Sequence, residues 1–178
     1  MPSQMDLHLG GGQHLSHVPR SAEHSNDSGA TWNEISTTGG SKKWSDVAMN
    51  DDGSFQIAVV YGGSIWKSTD YGANWSEYVG VVNLGNVSSV GNWTGVAMSS
   101  DGSVKMAVAY NGRINKYFSE FYSFGILYTN VWESQTSNNH DWASIAVSDD
   151  GTKQTAVVEG GNIWRSVDSG ATWTEDTS

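Results

Sequence analysis

The chain has 178 residues, enough for one domain with a hydrophobic core, and carries a formal net charge of −10. Such an acidic balance argues against a nucleic-acid partner, because binding to a phosphate backbone depends on Lys and Arg. Cysteine is absent, which excludes disulfides and thiolate chemistry, and no apolar run reaches the length of a membrane span, so we expect no membrane insertion.

The composition favours an all-β fold. Gly and Trp are plentiful, at 21 and nine residues, and only two Pro occur. This combination is typical of many short strands joined by tight turns, with aromatic side chains packed between them.

Residues 1–20 precede the first strand pattern. They contain three Gly in a row and three of the five His residues, whose spacing matches no metal-site template. No region typical of a signal peptide is visible. We interpret this segment as a disordered leader, with a scattered metal site as the alternative, and the sequence indicates no compartment.

One short pattern, Ser-x-Asp-x-Gly-x-x-Trp, recurs at residues 25–32, 68–75 and 166–173. Its Asp can accept hydrogen bonds from turn amides, its Gly supplies a positive φ, and its Trp can pack between neighbouring units. The residues with these structural roles are Asp27, Gly29, Trp32, Asp70, Gly72, Trp75, Asp168, Gly170 and Trp173.

A longer repeat surrounds this pattern. Trp44, Trp93 and Trp142 are spaced by 49 residues, and each opens an apolar strand that is followed by an Asp-Gly turn. A second apolar strand, a Gly turn and two more polar strands complete each unit. The change from apolar first strands to more polar outer strands predicts four-stranded antiparallel meanders. Their first strand would lie beside a central channel, as in β-propeller blades.

The repeat sets the expected boundaries. We predict one propeller domain over residues 21–178, with a partial blade at 21–36 and full blades at 44–79, 93–133 and 142–178.

The middle blade and the blade count depart from a regular propeller. Residues 117–132 hold a longer, aromatic-rich hairpin in place of the short pattern. It is either an acquired contact surface or a drifted hairpin folded over the blade edge. About three blades fall short of the four to eight of closed rings. The chain therefore either forms a homo-oligomer that closes a ring or is a fragment of a longer propeller.

The Ser-x-Asp-x-Gly-x-x-Trp units resemble the Asp-box, or bacterial neuraminidase repeat, of sialidase-like β-propellers. The resemblance covers residues 21–178 and implies the propeller fold. In that family the motif is structural, and ligands bind near the axis on the opposite face. The positions that map to that face are Tyr61, Tyr110, Glu159, Trp44, Trp93, Trp142, Arg113 and Asp141, with Lys42, Lys43, Asn92 and His140 close by.

Aromatic rings beside polar groups at that face suit sugar binding, since pyranose rings stack on aromatics and polar side chains bind the hydroxyls. The alternative for the three repeated Trp residues is packing. We therefore favour a non-catalytic, lectin-like module with a glycan or protein ligand and without a cofactor or metal.

Two other functions stay open. A glycoside hydrolase completed by more blades would need catalytic groups. The resemblance implies that a sialidase would need three Arg to bind the substrate carboxylate, a Tyr nucleophile paired with a Glu, and an Asp as the acid/base. The chain has only Arg20, Arg113 and Arg165, and Asp141 with Glu159 is the one carboxylate pair that we can nominate. A protein-binding assembly scaffold is the third possibility, since the repeats are similar in style to photosystem II assembly-factor blades.

Overall fold

The computed structural model describes residues 19–78, 90–123 and 126–177, and it gives no side-chain description for 120–131. Within the described residues the chain is all β apart from a short 3-10 helix at Ser36–Thr38. The predicted all-β class is therefore confirmed. Most of the predicted leader and most of the longest link between blades lie outside the described residues.

The strands form an N-terminal hairpin and three antiparallel meanders. The N-terminal hairpin comprises β1 (Glu23–His24) and β2 (Asn33–Glu34). The first blade comprises β3 (Trp44–Met49), β4 (Gln56–Gly63), β5 (Ile65–Ser68) and β6 (Ser76–Glu77). The second blade comprises β7 (Gly91–Met98), β8 (Lys105–Ala109), β9 (Ile114–Ser123) and β10 (Ile126–Ser134). The third blade comprises β11 (Trp142–Val147), β12 (Gln154–Val158), β13 (Ile163–Ser166) and β14 (Thr174–Asp176).

Successive units pack face to face. Each blade has an N-side face, which contacts the preceding unit, and a C-side face, which contacts the following one. Ile57, Val59 and Ile65 on the C-side face of the first blade form one buried cluster with Trp93 and Val96 of the second. Equivalent clusters join the second blade to the third and the N-terminal hairpin to the first. Each buried Val or Ile contributes about 1.5–3 kcal/mol, so these interfaces hold the units together.

The innermost strands of neighbouring blades are also linked by hydrogen bonds. The Ser45 hydroxyl donates to the Trp93 carbonyl at 2.8 Å, and the Thr94 hydroxyl donates to the Trp142 carbonyl at 2.6 Å. Gly95 allows the close approach, since a Cβ there would lie 3.2 Å from the Ser144 Cα. The same hydrogen bond thus recurs 49 residues further along the chain, at the interface with the next blade.

The three Ser-x-Asp-x-Gly-x-x-Trp turns share one hydrogen-bond pattern. In the first blade the Ser68 hydroxyl donates to Asp70 at 2.8 Å and accepts from the Gly72 amide at 3.0 Å. Asp70 also accepts from the Asn74 amide at 2.9 Å, and the φ of Gly72 is +84°. The other two copies repeat these bonds. The turn bonding and positive φ expected from the sequence are therefore present.

A buried glutamine links the two turns of a blade. Gln56 donates through Nε2 to the Gly53 carbonyl at 3.1 Å, and its side chain lies against Gly72. This contact places the Asp-Gly turn and the Ser-x-Asp-x-Gly-x-x-Trp turn on one face. Gln154 repeats the arrangement in the third blade. We call this face of the molecule the turn face.

The second blade replaces both parts of that arrangement. Lys105 stands at the glutamine position, donates to the Gly102 carbonyl and lies over the rings of Phe55 and Tyr117, at 4.7 and 5.0 Å. Burial lowers the pKa of this lysine. Tyr117 stands where the other blades have the motif serine, and its ring packs against Trp132. These two rings, at the ends of the aromatic hairpin, are buried. The side chains of 120–131 between them lie outside the described residues, so both interpretations of the hairpin stay open.

Gly170→Ala is expected to destabilise the protein more than Gly160→Ala. Both glycines have positive φ, +85° and +67°, so each substitution costs about 1–2 kcal/mol for the left-handed backbone. A Cβ at position 170 would also lie 2.7 Å from Gln154 Oε1, whereas nothing lies within 4 Å at position 160. Equilibrium unfolding in urea measures the difference, and equal losses would contradict this account.

The free energy of unfolding is expected to fall as the pH is lowered from about 5 to about 2. Hydrogen bonds from neighbouring hydroxyls, and then from backbone amides, lower the carboxyl pKa from 3.8 to about 2 in Asp27, Asp101, Asp150 and Asp168. Because the folded pKa is below the unfolded one, this stabilisation is present above the unfolded pKa and is lost as the pH falls through the folded pKa. Urea titrations at several pH values measure the slope. Asp168→Asn should reduce it, and an unchanged slope in that variant would exclude this cause.

Candidate functional site

The face opposite the turns carries the links between blades. A pair of backbone contacts anchors each link: Arg20 pairs with Lys42, Gly63 with Gly91, and Gly112 with His140. The predicted ligand-binding residues were mapped to this face, which we call the connection face. Two adjacent clefts open on it, and Asn92 lines both.

The first, the Arg113 cleft, has a volume of about 300 Å³ and lies against the second blade. Its walls combine two aromatic side chains with amide, guanidinium and hydroxyl groups. The lining side chains are Asn92, Trp93, Tyr110, Asn111, Arg113, Asn115, Ser134 and Asn139.

One repeat position gives this cleft its polar lining. Trp66 in the first blade and Trp164 in the third pack edge-on against the Trp that opens β3 or β11, with ring centroids 6.0 and 5.9 Å apart. The second blade has Asn115 at that position, 49 residues from each. An amide therefore lines the cleft beside the second blade, where the Trp66 ring lines the equivalent cleft beside the first.

Hydrogen bonds hold the polar wall in place. The Asn115 amide donates to the Arg113 carbonyl at 2.8 Å and accepts from the Ser134 hydroxyl at 3.1 Å. Arg113 Nε donates to Asn139 at 3.4 Å, and Asn139 donates to the Asn111 carbonyl at 3.2 Å. The cleft is therefore preorganised, which lowers the entropy cost of binding.

The Trp93 indole Nε1 is buried and has no hydrogen-bond partner among the described residues, and the same holds for Trp44 Nε1 in the first blade. In the third blade the equivalent Trp142 Nε1 donates to the Gly112 carbonyl at 3.1 Å. Because Trp93 Nε1 is not exposed, the polar groups that a ligand can reach in this cleft are those of its Asn and Arg side chains.

Tyr110 lies at the rim with two carboxylates nearby. The charge of Asp141 is the largest cause that raises the pKa of the Tyr110 hydroxyl, and a hydrogen bond to Asp141 and the charges of Glu159 and Tyr61 act in the same direction. The structure thus brings together four predicted residues from three blades. Tyr110 stays protonated at neutral pH and can donate a hydrogen bond.

The second, the Lys42 cleft, has a volume of about 560 Å³ beside the first blade. Lys42, Lys43 and Tyr61 line it, and the Lys42 ammonium lies 4.8 Å over the Trp66 ring. This cleft contains two lysines, whereas the protein as a whole is strongly acidic.

The predicted candidates divide by position. Trp93, Tyr110 and Arg113 line the first cleft, Tyr61 lines the second, and Asp141 and Glu159 lie at the rim. Trp44 and Trp142, like Trp93, are buried in the clusters between units, which favours packing for all three.

Sequence reasoning did not name Asn111, Asn115, Ser134 or Asn139. Asn115 had a usable signal, because it breaks a Trp position in the repeat. No periodic pattern in the sequence marks Ser134 or Asn139, because only the folded chain brings these two residues to the cleft.

The described residues contain no group of three or more His, Cys, Asp or Glu placed to hold a metal ion. Among the same residues, no helix has the length and apolar character of a membrane span.

Comparison with known proteins identifies the fold and no closer relationship. No protein-family model and no curated protein matches the chain. A structure of YCF48 bound to D1 peptide matches with a TM-score of 0.55 and 16% identity, over 74% of this chain and 39% of that one. The GH74 enzyme of Niastella koreensis matches with a TM-score of 0.59 and 21% identity, over 90% of this chain and 22% of that one. The GH74 xyloglucanase of Xanthomonas campestris matches with a TM-score of 0.56 and 14% identity, over 87% and 26%.

These identities are low, so the matches show the fold alone. The chain spans less than half the length of each matched propeller. It therefore has the β-propeller fold and corresponds to a part of larger propeller chains.

Proposed function

We propose that this protein is a carbohydrate-recognition module that binds a glycan in the Arg113 cleft without cleaving it. The observation that carries the proposal is Asn115, which stands where the other blades have a packing Trp and gives the cleft beside Trp93 a polar wall. A cavity of about 300 Å³ is at the small end of ligand-binding pockets.

The chemistry of the cleft supports a sugar ligand. Asn92 and Asn111 offer amide donors and acceptors, and Arg113 offers a charged donor. Tyr110 is 41% exposed at the rim, where its ring can stack on a pyranose face. Sugars present many hydroxyls beside apolar C–H faces, and this lining can bind both.

Two features support binding without turnover. The carboxylates raise the pKa of Tyr110, so its hydroxyl stays protonated at neutral pH and can donate a hydrogen bond to a ligand. Asp141 already accepts a hydrogen bond from the Asn111 amide at 3.1 Å, which assigns it to positioning the rim.

The fold places one condition on this proposal. Three blades and a hairpin leave the axial mouth open, and either further blades or a second copy would complete the ring around the clefts.

Asn115→Trp is expected to abolish glycan binding while the fold is retained. The indole should replace the polar wall of the cleft with a ring that packs edge-on against Trp93, as in the other blades. The measurement is a glycan array followed by calorimetric titration of the best ligand. Asn33→Trp, at an exposed position in the N-terminal hairpin, is the matched control and should bind normally. Undiminished binding by Asn115→Trp would contradict the cleft as the site.

Arg113→Ala in the same assay should weaken binding about tenfold or more, because a charged hydrogen bond is worth about 1.5–3 kcal/mol. A protein that binds no glycan on the array would instead favour the protein-binding alternative.

A glycoside hydrolase is the second candidate, and one observation favours it. Asp141 and Glu159 are both close enough to Tyr110 for their charges to raise its pKa. Under our proposal, incubation with the bound oligosaccharide releases no reducing ends. If release occurs and is lost in Asp141→Asn or Glu159→Gln, while binding is kept, the protein is a hydrolase.

A further inference from the structure

The outer hairpin of the second blade is longer than its counterparts. In the first and third blades, β5 and β13 end at the motif serine. In the second blade Tyr117 stands at that position, and β9 continues to Ser123. The outer strand β10 has nine residues, whereas β6 and β14 have two and three. Residues 118–123 and 126–131, which we call the ribbon, thus extend about 20 Å beyond the turn position of the other blades.

Within the described part of the chain, no strand pairs with the outer edges of the ribbon. β8 pairs with β9 only from Ile114 to Lys116, and β10 pairs with β9 alone. Among the described strands, β10 has extensive backbone contact only with β9. The second blade already has a blade packed on each of its two faces. The free edges of the ribbon are therefore a property of this blade and do not depend on how many blades the array has.

A ribbon of two strands is a weak structure by itself. Two-stranded hairpins are marginally stable in water, and a third strand is a common source of support. A free edge also carries a row of unpaired backbone N–H and C=O groups, which match the edge of another strand. Proteins often protect such edges with Lys or Pro, but residues 126–131 contain neither, and no Gly. The edge of β10 is therefore suited to receive a further strand.

The hydrogen-bond pattern shows which backbone groups of β10 face that edge. The Gln135 amide donates to the Ile114 carbonyl of β9 at 2.8 Å, so Gln135 faces inward. Residues that face inward and outward alternate along an antiparallel pair. The backbone groups of Tyr128 and Asn130 therefore point away from β9, whereas those of Val131 point towards it.

Charge favours a second copy of this chain as the source of the added strand. Each copy has a net charge of −10, but residues 118–131 contain one charged side chain, that of Glu120. Two copies that meet through their ribbons would keep their acidic blades about 20 Å apart, beyond the screening length of about 8 Å at physiological salt. A basic partner would instead gain most from the acidic surfaces elsewhere. Identical edges that run antiparallel are also complementary to each other about a two-fold axis.

We propose that two copies of the chain pair edge to edge through β10. The two strands run antiparallel, exchange backbone hydrogen bonds at Tyr128 and Asn130, and join the two ribbons into one four-stranded sheet. This sheet supplies the support that a single ribbon lacks. The inference is independent of the glycan proposal, because the Arg113 cleft lies beside other residues and the test uses no ligand.

Sedimentation equilibrium and light scattering test the contact. The wild-type chain should have twice its 19.2 kDa mass. Asn130→Pro should raise the dimer dissociation constant about tenfold or more, because it removes an outward N–H at a position where proline is compatible with the pairing to β9. Asn130→Lys should have a similar effect, because a lysine on the edge opposes strand addition. The dimer should weaken at about 0.01 M salt, where the acidic blades repel each other over about 30 Å.

Ser76→Lys is the matched control. It adds the same charge at an exposed residue in β6, the outer strand of the first blade, and should leave the dimer unchanged. Circular dichroism and the thermal midpoint verify that each variant is folded.

Amide hydrogen exchange locates the contact. The amides of Tyr128 and Asn130 should be protected in the dimer and should lose that protection on dilution. The Val131 amide, which points towards β9, should be protected at both concentrations. A monomer at all concentrations overturns the proposal. So does a dimer that both Asn130 variants leave intact, that tightens at low salt, or in which the Tyr128 amide exchanges freely.

Discussion

The structure depends on the burial of one blade face against the next. A meander of four short strands cannot bury its apolar faces alone, so each unit obtains its core by packing on a neighbour. Ile65 and Ile114 are almost fully buried because the Trp-headed strand of the following blade covers them. Hydrogen bonds from Ser45 and Thr94 to the next inner strand fix the spacing.

The same dependence allows the lining of a cleft to change at a single position in the repeat. Aromatic pairs pack near the connection face in the first and third blades, and Asn115 removes one ring from the second. The lost packing is local, because Trp93 remains buried. Polar side chains from the link to the third blade then line the cleft. The cleft thus gains polar groups without any change in strand order.

The second blade shows how far the repeat tolerates change on the turn face. Tyr117 replaces the motif serine and Lys105 replaces the buried glutamine, and together they exchange a hydrogen-bonded turn for an aromatic cluster. Tyr78 of the first blade joins that cluster, with its ring centroid 5.0 Å from that of Tyr117. Contact with the preceding blade therefore compensates for the missing turn. The blade keeps its strands because their inner halves still pack as in the other units.

The sequence by itself determined the all-β class, the four-stranded meanders and the turn bonding, because a spacing of 49 residues and a fixed turn pattern are local signals that survive without coordinates. It also selected Trp93, Tyr110 and Arg113, since repeat position implies the face of a blade. Only the tertiary structure decided that Trp44 and Trp142 are buried between units, and that Ser134 and Asn139 reach the cleft. Those facts depend on how the blades pack and how the links cross between them. Contacts between residues far apart in sequence produce no periodic pattern from which they could be predicted.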